Sequence, residues 1–185
     1  NNPNIANPIA TVNNTISYVV EVNTQSNTNL ITNGDFESGS TGFTTGLNAG
    51  TGGTWGPTSW TNTYMVTTSP TIAHSNFSAC EDHTPNPGDK MMVINGSTVA
   101  NTNIWCQTIS VNPNSTYVFN MWGTSAVFTN PAVIQAQFNN VPVSNTLNLS
   151  FVPCTWQNYT ATWNSGSNTS LTLCLYNNNL ASSGN

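Results

Sequence analysis

Few side chains in this sequence could carry out catalysis. The 185 residues include six acidic residues, two histidines and one basic residue. Five of the acids form two groups along the chain: Asp35 with Glu37, and Glu81 and Asp82 with Asp89. Paired carboxylates hydrolyse glycosides only when they are fixed across a substrate cleft, and proximity in sequence does not supply that arrangement. The acids therefore favour a non-catalytic role.

The triplet Asp82-His83-Thr84 could suggest part of a catalytic triad. A triad also requires a nucleophile within hydrogen-bond reach of the base, and an oxyanion site. The chain has no GxSxG motif to accompany the histidine. We therefore expect His83 to be a hydrogen-bonding loop residue, and the protein not to be an enzyme.

Aromatic residues give the best indication of a binding site. Sugar-binding proteins combine large flat rings with amide and hydroxyl groups, and this chain is rich in both. Trp105 and Trp163 lie at core positions of predicted strands. The alternative to ligand binding for Trp55 and Trp60 is that they simply hold a long loop in place. The remaining candidates for a ligand site are Trp55, Trp60, Tyr64, Trp122 and Trp156.

The four cysteines indicate disulfides and an oxidising, extracytoplasmic location. Cys80, Cys106, Cys154 and Cys174 form no CxxC pair, so a zinc site is poorly supported. We expect all four to be oxidised, and three pairings are possible. We favour the pairing of neighbours, Cys80 with Cys106 and Cys154 with Cys174, because it closes the shortest loops. A direct hairpin of the last two strands would nevertheless place Cys174 opposite Tyr159, too far from Cys154.

Composition excludes several classes of partner. A single Lys or Arg cannot neutralise a nucleic-acid backbone or an anionic lipid surface. The longest apolar runs are far below the roughly 20 residues that a membrane-spanning helix needs. The surface must be solvated mainly by amides and hydroxyls.

Short alternating runs rich in Thr, Val, Tyr and Trp predict an all-β protein. A polar stretch at residues 23–29 separates the first predicted strand from the others. The spacing of the strands, without helices between them, predicts a β-sandwich. The predicted strands are residues 17–22, 90–95, 104–111, 116–122, 132–139, 155–163 and 170–176.

Alternation also assigns side chains to the two faces of each strand. Along residues 116–122, Tyr117, Phe119 and Met121 share the core face. Trp122 then lies on the outer face, as does Trp156 on its own strand. A large ring on the outer face of a sandwich is either a ligand platform or covered by a loop.

Several motifs, in order, resemble the carbohydrate-binding-module-like jelly rolls with the galactose-binding-domain fold. They are NLITNGDFE at residues 29–37, DHT at 82–84, GDKMMVING at 88–96, WCQTI at 105–109, CTWQ at 154–157 and TWNSGSNT at 162–169. The chain is most similar to the versions in large surface and gliding-motility-associated proteins of Bacteroidetes. This resemblance covers residues 29–185 and implies an antiparallel jelly-roll β-sandwich.

The resemblance also implies a domain organisation. Residues 1–25 resemble the end of an Ig-like or polycystic-kidney-disease-like repeat. The family usually continues past residue 185 with an acidic, apolar final strand, so we expect a fragment of a larger protein. An unpaired sheet edge would then recruit neighbouring domains or subunits.

The resemblance further implies a structural calcium ion near the opening motif. Calcium is bound by about six to eight oxygen atoms. By family analogy the ligands are Asn33, Asp35, Glu37 and Asp89. The alternative is that Asp35 serves the local turn and that Glu37 is an ordinary hydrogen-bonded polar residue. The function implied is a non-catalytic extracellular module of a cell-surface adhesin that binds polysaccharide or surface glycan. The alternative is an architectural spacer or filament-forming repeat with no ligand of its own.

Overall fold

The computed structural model describes residues 28–84 and 89–182. The predicted strand at residues 17–22 and the predicted upstream repeat lie outside these ranges. The strands are β1 (Asn48–Ala49), β2 (Thr63–Thr67), β3 (Met91–Asn95), β4 (Asn103–Ser110), β5 (Thr116–Gly123), β6 (Val133–Phe138), β7 (Val141–Pro142), β8 (Leu147–Asn148), β9 (Gln157–Asn164) and β10 (Ser170–Asn177). The helix in the described ranges is the single turn α1 (Pro70–Ala73). The all-β prediction is confirmed.

The strands form an antiparallel jelly-roll β-sandwich, as predicted. The largest sheet has the order β4-β10-β6-β7, with β8 also paired to β6. The opposite layer consists of two separate pieces, β1-β2-β3 and β5-β9. Every strand pair is antiparallel except β1 with β2.

One main core fills the space between the two layers. The largest sheet contributes buried residues such as Ile134, Ala136 and Leu173, while β9 contributes Tyr159 and Ala161 from the other side. These are positions that alternation assigns to the core. The core-facing residues of β3 and β5 also pack here but are only half-buried, and these are Met92, Ile94, Tyr117, Phe119 and Met121.

The six strands predicted after residue 90 are confirmed to within two residues at each end. β2 was not predicted from the sequence, because its apolar stretch is only Tyr64 to Val66 between polar and glycine-rich loops. The last two long strands do not form the direct hairpin that was considered for the cysteine pairing. β9 pairs with β5, whereas β10 lies between β4 and β6.

The turn between β9 and β10 crosses from one layer to the other because Ser165 anchors it. This residue is fully buried, and its hydroxyl donates to the Asn112 carbonyl at 2.7 Å. The same hydroxyl accepts the backbone N–H of Ser115 at 2.9 Å. The turn is thereby fixed to the corner before β5, and the chain continues into the opposite sheet.

All four cysteines are oxidised, as predicted, but the favoured pairing is wrong. The disulfides are Cys80–Cys154 and Cys106–Cys174. Cys106 and Cys174 face each other across β4 and β10, with 4.1 Å between their Cα atoms. The backbone of Cys106 bonds to Thr44 on its other side, so this is a narrow, non-hydrogen-bonded pair. Loop length does not decide the pairing, because strand order brings distant cysteines together.

Asparagine supplies most of the unusual turn conformations. Seven of the nine non-glycine residues with positive φ in the described ranges are asparagines, including Asn114, Asn139 and Asn140. Asparagine tolerates this conformation because its short amide can bond to the local backbone. The asparagine-rich composition is therefore partly a consequence of many tight turns.

Candidate functional site

The outer face of β5 and β9 carries the best candidate site. Trp122 projects from this face and is 44% exposed, as alternation predicts. Its register partner across the strand pair is Asn158. The neighbouring outward positions hold Asn120 and Thr160, which makes the floor polar apart from the exposed Val118.

Two loops each bring one further ring to this face. The His83 ring stacks on the Trp122 ring, with 3.9 Å between centroids and 16° between planes. Trp156 meets His83 edge to face at 5.8 Å and 69°. We call Trp122, His83 and Trp156 the aromatic platform.

The Cys80–Cys154 disulfide assembles this platform. Cys80 lies three residues before His83, and Cys154 lies two residues before Trp156. The Trp156 indole N–H also donates to the Glu81 carbonyl at 3.2 Å, which ties the two segments together again. A crosslink between the segments fixes the rings without requiring them to be buried.

A third segment, directly after β5, holds both sides of the crosslink. Ser78 donates its backbone N–H to the Ala126 carbonyl at 2.8 Å. Cys154 donates its own to the Ser125 carbonyl at 3.1 Å. The platform is therefore supported by three loops that converge at one end of β5.

Polar groups surround the rings. The Asn158 amide donates to the Asn120 side-chain oxygen at 2.8 Å, and the Asn120 amide donates to the Thr160 hydroxyl at 3.1 Å. Next to His83, the Thr84 side chain contacts the carboxylates of both Asp82 and Asp89. The site thus offers amides, hydroxyls and negative charge, and its chemistry suits an uncharged polar ligand with flat apolar faces.

The other predicted aromatic residues do not join the platform. Tyr64 is half-buried and packs edge-on against Phe43 at 6.0 Å. Trp55 stacks on His74 at 6.4 Å and 28°, on a separate loop. Trp60 is 68% exposed. The three platform rings line a cavity between β3 and β5, and Trp60 is not among its lining residues. Of the five predicted ligand-binding aromatics, the structure brings together Trp122 and Trp156.

His74 lies in an apolar stack rather than in a site. Its ring packs on Phe77 at 4.6 Å and 19°, with Trp55 on the other side. Burial lowers the pKa of His74 below 6.5, because the charged ring would lose its hydration. Its Nδ1 accepts the backbone N–H of Asn76 at 3.2 Å, which also requires the neutral form. This histidine therefore has a structural role.

The predicted calcium ligands have other partners. The Asn33 amide donates to the carbonyls of Gly39 and Thr41 at 2.9 and 2.8 Å, and its oxygen accepts the Ser38 N–H. Asp35 accepts the backbone N–H of Glu37. These bonds hold the opening loop closed on itself.

Glu37 and Asp89 also point to different neighbours. Glu37 accepts the Lys90 backbone N–H through its carboxylate, and its carbonyl accepts the Lys90 ammonium at 2.8 Å. Asp89 bonds to Thr84 instead. In the described ranges no three His, Cys, Asp or Glu side chains form a group able to hold a metal. As placed, the four residues do not fit a calcium ion, and calcium remains a prediction from the resemblance.

The position of His83 in the platform was not predicted from the sequence. It was expected to form hydrogen bonds in a loop, and its contacts are with two tryptophan rings. The signal that could have revealed this was the correct cysteine pairing, since Cys80–Cys154 brings His83 next to Trp156. Sequence alone leaves that pairing open.

Neither a protein-family model nor a curated protein sequence matches this chain. Among solved structures, it is similar to the CBM22-1 xylan-binding domain from Paenibacillus barcinonensis Xyn10C, with a TM-score of 0.48 and 15% identity over 80% of this chain and 83% of that chain. It is also similar to the N-terminal CBM22-1-CBM22-2 tandem domain of Xyn10C, with a TM-score of 0.47 and 15% identity over 80% and 40% of the two chains. In the described part of the chain, no helix has the length and apolarity to cross a membrane.

Proposed function

We propose that this chain is a non-catalytic module that binds neutral glycans on its aromatic platform. The observation that carries the proposal is the exposure of Trp122 in a rigid setting. A stacked histidine, a second tryptophan and a disulfide hold this ring in place while 44% of it remains exposed. Pre-organised aromatic surface beside amides and hydroxyls favours sugar rings, which present apolar faces and hydroxyl edges.

Charge narrows the class of glycan. The chain has a formal net charge of −5, and Glu81, Asp82 and Asp89 lie around the platform or in its loop. The single lysine is engaged with Glu37. An anionic polysaccharide would be repelled, so the proposed ligands are uncharged.

The cellular setting is part of the same proposal. Two disulfides require an oxidising compartment, which supports an extracellular protein. We propose that the module belongs to a large surface adhesin of the kind that the opening motifs resemble.

The test is retention of the full chain by immobilised or gel-embedded polysaccharides. Xylan, mannan and mixed-linkage glucan represent neutral ligands, and polygalacturonate represents an anionic one. We expect at least one neutral polysaccharide to bind and polygalacturonate not to bind. Trp122→Ala should weaken binding about tenfold or more, because central aromatic anchors carry most of the affinity in such sites.

Two further variants complete the design. Trp156→Phe preserves apolar packing but removes the indole bond to Glu81, and should weaken binding less than Trp122→Ala. Trp60→Ala is a matched control, since it removes an exposed tryptophan outside the platform. A folded protein that binds none of the polysaccharides would contradict the proposal and support the architectural spacer.

A further inference from the structure

The cavity beside the aromatic platform has a volume of about 420 Å³. It is lined by Met91 to Ile94 of β3 and by Phe119 to Gly123 of β5, two strands that are not paired with each other in the described ranges. The three platform rings belong to the same lining. One of them, Trp156, also packs against the buried cluster that contains Met91 and Val93. The proposed sugar site and the cavity therefore share these rings.

Most of the lining away from the platform is apolar. Ile104, Ile134 and Leu175 of the largest sheet line the cavity from the opposite layer. Met92 and Phe119 face the main core but stay half-buried. An apolar cavity of about 150 Å³ is already large enough to bind benzene, and ligand pockets generally measure about 300–1,000 Å³. The cavity thus has the volume and the lining for an apolar group of several carbon atoms.

The charges around the cavity oppose an anionic ligand. The acidic residues in its described lining are Asp35 and Asp82. The single lysine of the chain bonds to Glu37 and is not among the described lining residues. A free fatty acid would bring its carboxylate close to these acids without a cation to pair with it, which costs binding free energy. The Thr84 hydroxyl and the Asn120 amide, which also line the cavity, suit an uncharged polar group instead.

We propose that the ligand of this site is an uncharged sugar that carries an aliphatic chain, with the sugar on the platform and the chain in the cavity. The sugar half of this inference rests on the proposed function, and the chain half goes beyond it. Burial of two methylene groups strengthens binding roughly tenfold, so a short chain adds more affinity than one further sugar contact. The chain also gives the half-buried lining side chains the packing partners that they lack.

The four methionines allow a direct test by NMR of the full chain labelled with ¹³C at the methionine methyl groups. Met91, Met92 and Met121 line the cavity, and Met65 is not among its described lining residues. The probes are hexyl and methyl glycosides of glucose, mannose and xylose, used below the concentrations at which micelles form. At least one hexyl glycoside should shift the three lining signals more than that of Met65, and should bind at least tenfold more tightly than its methyl counterpart. Unshifted lining signals, or an equal shift at Met65, would overturn the proposal.

A matched pair of isoleucine variants tests where the chain lies. Ile94 lines the cavity, whereas Ile109 is half-buried beside the same core and is not among the described lining residues. Ile94→Phe adds volume to the cavity wall and should weaken binding of the hexyl glycoside about tenfold. Ile109→Phe adds the same volume elsewhere and should leave the affinity unchanged. Equal affinities of the two folded variants would contradict the proposal. If Ile94→Phe does not fold, the methyl shifts of the unmodified chain still decide.

Three further probes test the polar half of the ligand. 1-Hexanol offers the chain without a sugar, while hexanoate and hexyltrimethylammonium replace the sugar by a negative or a positive charge. Each should bind more weakly than the hexyl glycoside, and equal or tighter binding by any of them would overturn the proposal. Neutral oligosaccharides that shift the Trp122 indole signal, together with hexyl glycosides that shift no methionine methyl signal, would reject the chain site and leave the proposed function intact. The two failures are therefore distinguishable.

Discussion

The two layers of the sandwich differ in continuity. In the largest sheet, β10 lies between β4 and β6, and its core-facing residues Leu171 and Leu173 are 3% and 1% exposed. In the opposite layer, β3 and β5 border a cavity of about 420 Å³, and their core-facing residues Met92, Ile94 and Phe119 stay half-buried. The continuous sheet supplies stability, whereas the divided layer carries the aromatic platform on its outer face.

The two disulfides follow the same division, and their removal should have the largest effects. Cys106–Cys174 crosslinks the continuous sheet, and Cys80–Cys154 crosslinks the loops beside the divided layer. The spans of 68 and 74 residues predict similar losses, about 4 kcal/mol each on the chain-entropy model. We therefore expect double alanine variants of either pair to lose similar stability in urea unfolding.

Binding should separate the two variants. Loss of Cys80–Cys154 releases the segments that carry His83 and Trp156, so glycan retention should disappear. Loss of Cys106–Cys174 should leave retention intact under conditions in which circular dichroism shows folded protein. Normal retention by the Cys80→Ala/Cys154→Ala variant would break the link between this crosslink and the site.

Truncations in the core compare the layers directly. Leu173→Ala should cost about 3 kcal/mol, because it opens a cavity in close-packed surroundings. Met121 lines the cavity between β3 and β5, so Met121→Ala should lower the free energy of unfolding by only about 1 kcal/mol. Urea unfolding of both variants measures the difference. Equal losses of stability would mean that the surroundings of Met121 are as well packed as those of Leu173.

The long strands of both layers were predicted about equally well from the sequence. β5 and β6 alternate regularly, so their core faces follow from period two, and each of their limits lies within one residue of the prediction. β2 was missed because it has only three apolar residues, between a glycine-rich loop and a polar one. The strand order of β9 and β10 was missed because it depends on the buried Ser165, whose distant partners no local pattern reveals.

The candidate site was predictable only in part. Alternation placed Trp122 on the outer face, but it could not identify His83 as the residue whose ring stacks on Trp122. That contact depends on Cys80 pairing with Cys154, which is a consequence of tertiary structure. The same limit applies to Trp55, Trp60 and Tyr64, whose residue types suggest sugar binding although the fold leaves them outside the platform.

A smaller effect is expected from pH, through His74, which directly follows the helical turn α1. Its pKa is lowered by burial in the folded state, so the unfolded chain binds the proton more tightly. Stability should be complete above the unfolded pKa of about 6.5 and should decline as the pH falls through it. Thermal unfolding between pH 7.5 and 5.5 measures this decline. His74→Gln should flatten the profile, and an unchanged slope would exclude His74 as its source.

The smallest effect is expected from calcium, beside the start of β3. Lys90 already donates to both the carboxylate and the carbonyl of Glu37. We expect the melting temperature to change by less than about 1 °C between excess calcium and a chelator, since a ligand stabilises only through binding to the folded state. An increase of several degrees would show that the opening loop rearranges to hold the ion.

We propose that glycan binds at Trp122, His83 and Trp156. The most direct test is an NMR titration of the full chain that follows the six tryptophan indole N–H signals, with xylan, mannan and glucan oligosaccharides added in turn. We predict that a binding oligosaccharide shifts the Trp122 and Trp156 signals, while buried Trp105 and distant Trp60 stay unchanged. Shifts confined to Trp55 or Trp60, or no shift with any of the three, would contradict the account.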